Sequence, residues 1–147
     1  TMALFCDIII ASETARIGDL HVNVGLVAGD GGAIIWPQLI GYPRAKEFLM
    51  TGKIIDGREA AELGLVNYAV PPEELDARTE EIVRQLDSGA TMAVRLTKAA
   101  INVGLKQLTH GMMDASIAYE TLTNTMLDHQ EGLAAFRERR KPKFGGG

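Results

Sequence analysis

The feature that most limits the fold of this chain is a change of periodicity near Val70. Before it, short β-branched runs alternate with short helical ones; beyond it, the strand signals stop. "DIIIAS" and "VNYAV" read as strands, while "PRAKEFLMTG" and "GREAAELG" read as helices closed by glycine. The organisation this predicts is an α/β region over residues 1–70 and a helical region over residues 71–147. In the second region "PPEELDARTEEIVRQLDSG" sets Leu75, Ile82, Val83 and Leu86 on one helical face, and "ATMAVRLTKAAINVGL" repeats the theme through Met92, Leu96, Ala100 and Val103. A separate helix, "THGMMDASIAYETLTNTML", is apolar on more than one face, as expected of a helix lying against another subunit. "DHQEGLAAFRERRK" then places Asp128 and Glu131 at capping-box spacing and ends basic, as the helix dipole favours.

Composition narrows the function classes. The 147 residues are 46% hydrophobic and 23% charged, enough for one core. A net charge of −4 gives no footprint for nucleic acid, and the only basic cluster is the late "RERRKPK". Cys6 stands alone, which excludes an intrachain disulfide and a cysteine-rich metal site and points to a reducing, cytoplasmic setting. The opening "TMALFCDIIIAS" is interrupted by Asp7 and falls short of the roughly 20 apolar residues that span a bilayer. It reads as a core segment, so the chain is expected to begin inside a buried element and to lack a preceding part. His21, His110 and His129 have no metal-ligand spacing, and "TGKI" lacks the upstream glycine and the hydroxyl of a P-loop.

The stretch "GDLHVNVGLVAGDGGA", residues 18–33, carries the candidate chemistry. His21 reads either as a hydrogen-bonded packing residue or as a proton-transfer group, since an imidazole titrates near neutrality. Asp30, between Gly29 and Gly31, reads either as a turn-former or as an acid/base group. Taken alone, the glycine loop is a turn, a phosphate cradle or a catalytic wall.

Four segments in order, "ALFCDIIIASETARIGDLHVNVGLVAGDGGA", "RAKEFLMTGKIIDGREAAELGLVN", "VPPEEL" and "EGLAAFRERRKPKF", resemble the C-terminal half of the crotonase, or enoyl-CoA hydratase/isomerase, family. The resemblance implies a crotonase-like spiral of ββα repeats followed by a helical trimerisation region. Also implied are an acyl-CoA substrate, with coenzyme A as part of that substrate and no separate cofactor, and a homo-oligomer that is a trimer or a hexamer of paired trimers. The shared device of the family is a pair of backbone N–H groups that hold the thioester oxygen as it becomes enolate-like. By the resemblance both donors precede Thr1. It also puts the two hydratase glutamates at Thr1 and His21, neither of which is Glu here.

That departure favours an enzyme of altered chemistry, such as isomerisation, C–C bond hydrolysis or hydration by a different residue set. The competing reading is a catalytically silent acyl-CoA-binding protein. The resemblance makes His21 and Asp30 the catalytic candidates and places Gly18, Gly29, Gly31 and Trp36 along the acyl pocket, although Trp36 reads equally as core. Phe136 and Arg139 are implied to approach coenzyme A, where the guanidinium fork suits phosphate.

Overall fold

The computed structural model describes all residues, Thr1–Gly147. In chain order the regular elements are β1 (Ile10–Ser12), β2 (Arg16–Ile17), α1 (Gly32–Ile40), α2 (Tyr42–Thr51), β3 (Ile55–Asp56), α3 (Gly57–Leu63), β4 (Tyr68–Val70), α4 (Leu75–Asp87), α5 (Thr91–Asn124) and α6 (Leu127–Arg137). The residues gather into two compact units, one of Thr1, Gly18–Ile54 and Met112–Gly147, the other of Met2–Ile17 and Ile55–Gly111. This division does not follow the 70/71 boundary read from periodicity. No helix is long and apolar enough to cross a membrane.

The second unit holds the strands. β1 pairs in parallel with β4, Ile10 opposite Tyr68 and Ser12 opposite Val70, and β2 pairs antiparallel with β3. Asn67 extends the first pair, its side-chain oxygen accepting the Ile9 N–H at 2.8 Å. Asp56 caps α3 by accepting the Glu59 N–H at 2.8 Å, which satisfies one of the free donors of the first turn. Ala60, Leu65 and Val66 are buried here.

The first unit carries the larger apolar core. Ile34, Ile35 and Trp36 of α1 pack with Ala45 and Phe48 of α2, the two rings 5.8 Å apart and tilted. Beside this pair, α6 docks on a 3-10 turn at His21–Val24. His129 is buried at that contact, and its Nδ1–H donates to the Val24 carbonyl at 2.7 Å. The approach is so close that a Cβ on Gly132 would stand 2.7 Å from the Val24 backbone. From α5, Thr123 Oγ1 accepts the Val27 N–H at 3.2 Å and fixes the start of the glycine loop.

Several expectations are corrected. Only the last three residues of "DIIIAS" and of "VNYAV" are strand. The two helices expected after Gly89 are one 34-residue helix, α5, because a helix-interior glycine costs only about 1 kcal/mol and Gly104 and Gly111 therefore do not end it. The capping box does not form: Met126 is the N-cap, Asp128 instead accepts the Gly145 N–H at 2.6 Å, and Glu131 accepts from Lys143 N–H and Arg140. In the opening segment Leu4 alone is buried among residues 1–8, with Met2 87% exposed. The α4 and α5 stripes are likewise largely open, with Val83, Leu86, Met92, Leu96 and Val103 exposed.

Gly132→Ala should therefore lower stability by about 1–3 kcal/mol, the cost of overpacking. Gly104, where a Cβ would meet no atom within 4 Å, should gain about 0.5–1 kcal/mol on substitution by Ala. Chemical denaturation of both variants checks this, and equal shifts would contradict the contact assigned to α6.

Candidate functional site

The site grows from "GDLH". Asp19 has its side chain almost fully buried and lies two residues before His21, which opens the 3-10 turn. Its Oδ1 accepts both the His21 backbone N–H at 3.3 Å and the ring Nδ1–H at 2.7 Å. One carboxylate oxygen thus fixes the direction of the imidazole and its tautomer. The other oxygen, Oδ2, is 2.3 Å from where a Cβ on Gly32 would be, so only glycine leaves room for it. Because Gly32 is the first residue of α1, Asp19 sits at the positive end of that helix, where an anion is favoured.

With Nδ1 committed to Asp19, Nε2 is the other ring nitrogen. It faces Asp30, whose Oδ2 is 3.8 Å away and whose Oδ1 is 3.5 Å from the Thr1 hydroxyl, long for a hydrogen bond. Burial disfavours the imidazolium, but the Asp19 hydrogen bond and the charges of Asp19, Asp30 and Glu120 outweigh it. His21 consequently titrates above the ordinary value of about 6.5. The structure therefore brings His21 and Asp30 together and adds Asp19. One ligand atom from each lies within 4.8 Å of the others, the set that could hold a metal ion.

The glycine loop forms the wall of this cluster. Gly29 is buried, and a Cβ there would stand 2.3 Å from the Ser116 carbonyl and 2.7 Å from Glu120 Cβ, both on α5. Gly31 caps α1 with φ at 124°, a conformation side chains resist. Glu120, with one carboxylate oxygen buried and without a hydrogen-bond partner, stands behind the loop.

The other predicted residues are distributed differently. Gly18 lies against the backbone of Lys53 and Ile54. Trp36 is 2% exposed and tilted against Phe48, so its place is the core. Phe136 borders a cavity of about 490 Å³ with Leu20, His21, Leu26 and Ala135. The basic residue on that cavity is Arg140, while Arg139 is exposed with φ at 54°. Arg140 grips Glu131 at 2.5 and 2.9 Å and Glu138 at 2.5 Å. Its hydrogen bond, with that of the Lys143 N–H, holds the Glu131 carboxyl down at about 2.

The family model described as enoyl-CoA hydratase/isomerase matches residues 1–147. The chain belongs to this family. Among enoyl-CoA hydratase/isomerase relatives, the crotonyl-CoA hydratase of Syntrophomonas wolfei is 37% identical over 143 residues, covering 97% of this chain and 55% of that protein. A carnitinyl-CoA hydratase structure from Mycobacterium avium superposes with a TM-score of 0.92 at 26% identity, covering 99% of this chain and 57% of the other. A β-diketone hydrolase from the cyanobacterium Anabaena, bound to (S)-3-oxocyclohexyl acetic acid, is 36% identical with a TM-score of 0.79 and covers 84% and 50%. The chain thus spans about half the length of the first relatives it matches, 56% and 48% in two of them.

The raised titration of His21 has a signed consequence for stability. A group that titrates higher when folded contributes fully below its unfolded value of about 6.5, and the contribution fades as pH rises through the folded value. The thermal midpoint of the parent should thus exceed that of His21→Gln by more at about pH 6 than at about pH 9. A gap that widens toward alkaline pH would reverse the assigned ion pair.

Proposed function

We propose that this protein acts on an acyl-CoA thioester through an enolate-like intermediate, with His21 moving the proton at the carbon next to the thioester. One observation carries the reading: Asp19 holds His21 Nδ1 at 2.7 Å and turns Nε2 toward Asp30 and the glycine loop. A buried carboxylate behind an imidazole fixes the ring and stabilises the imidazolium that forms when Nε2 takes a proton. Membership of the enoyl-CoA hydratase/isomerase family and similarity to a crotonyl-CoA hydratase support the substrate class. The exposed apolar residues of α5, among them Ile101, Ile117 and Tyr119, support assembly with further copies as a trimer or hexamer. The solitary Cys6 supports a cytoplasmic setting.

A second reading, C–C bond hydrolysis of a β-diketone, is favoured by the 36% identity to the Anabaena hydrolase. Both reactions generate an enolate and both require a proton delivered to carbon. They separate on substrate: crotonyl-CoA for the first, a cyclic 1,3-diketone for the second.

In the full protein, His21→Ala should lower kcat on the accepted substrate by roughly 10²- to 10⁴-fold, with thioester Kd within a few-fold. His21→Gln, which retains hydrogen bonding without titration, should be similarly slow. Turnover within a few-fold of the parent in both variants would remove His21 from the chemistry and leave it a packing residue.

A further inference from the structure

We propose that Glu120 is the second acid/base group of this site, the base that takes a proton from water while His21 delivers one to carbon. This rests on the acyl-CoA reading above. Glu120 lies 99 positions after His21, on a different element, and nothing in its local sequence marks it. Its Oε2 is buried without a hydrogen-bond partner, a state that costs free energy unless something in the working protein uses the oxygen. The same oxygen lies 2.9 Å from where a Cβ on Gly29 would be, so the missing side chain at Gly29 is what lets the carboxylate reach the loop. The charges that share this region are His21, Asp30 and Asp19. Of these, Asp19 is bound to the imidazole and Asp30 is the more open to solvent. Glu120 is the remaining carboxylate whose charge bears on His21.

In hydration, water gives a proton to Glu120 as its oxygen bonds to the β-carbon, and the double-bond pair moves onto the thioester oxygen. The His21 imidazolium then passes its Nε2 proton to the α-carbon as the pair returns. Exchange with solvent moves the proton from Glu120 back to His21, and both groups are restored. Glu120 must be ionised and His21 protonated, so activity falls at low pH through the first group and at high pH through the second.

The test uses Glu120→Gln and Glu120→Ala in the full protein. On crotonyl-CoA, Glu120→Gln should lower kcat by roughly 10²- to 10⁴-fold and abolish the acidic limb of the pH profile, while the alkaline limb persists and acetyl-CoA still binds within about 3-fold. Proton titration of His21 by NMR should move downward in both variants, since a negative neighbour has been removed. Turnover within about 5-fold of the parent, an unchanged acidic limb, or an unmoved His21 titration would each overturn the assignment. If the parent binds no acetyl-CoA, the thioester reading falls, whereas the His21 titration still decides whether Glu120 belongs to the site.

Discussion

The hydrogen bond between Asp19 and His21 is the interaction on which the site depends, and its cause lies in a residue that touches no proton. Gly32 leaves a space in which the Asp19 carboxylate rests at the start of α1. Any side chain there would displace the carboxylate, and the imidazole would lose the partner that sets its tautomer. Burial and attraction pull the histidine in opposite directions. That attraction wins depends on a carboxylate that is itself out of solvent, since the same pair in water would gain little from the contact.

The turn bearing His21 is held from behind. His129 and Gly132 of α6 meet the Val24 backbone, and Val24 is the last residue of the turn His21 begins. The C-terminal segment folds back on the same helix, through Arg140 on Glu131 and through the Gly145 N–H on Asp128. These latter contacts are exposed, and each contributes modestly. Their structural effect is to orient Arg140, whose guanidinium is already paired with carboxylates beside the cavity it borders. A phosphate arriving there would have to compete with Glu131 and Glu138 for the same fork.

How much of this the chain announces depends on the range of the signal. Helices α2 and α3 end at Gly52 and Gly64, as their glycines indicate, because a C-cap is a local requirement. The strand ends are less legible: pairing decides them, and β1 is only as long as the partner residues Tyr68–Val70 allow. His21 and Asp30 are visible as candidates from residue type and family resemblance, and Asp19 is visible in retrospect as a carboxylate two residues from a histidine. Arg140 rather than Arg139 on the cavity is a matter of where α6 ends and how the chain turns, which adjacent identical residues do not reveal. Trp36 is ambiguous until Phe48 is found against it.

The resemblance sets His21 where the family's hydratases carry a glutamate, and the structure puts a compensating partner, Asp19, two residues away. A glutamate anion and an imidazole differ in charge by one in their deprotonated forms, so a simple exchange would alter the charge of the site. Here the imidazole comes with Asp19 attached to Nδ1, and the pair carries the negative charge when His21 is neutral and none when it is protonated. That is the charge cycle a single carboxylate runs, shifted toward neutral pH. Asp19, His21 and Gly32 together can therefore run the charge cycle of one carboxylate, as the proton transfer proposed above requires. A lone histidine at this position, without the buried carboxylate behind it, could not.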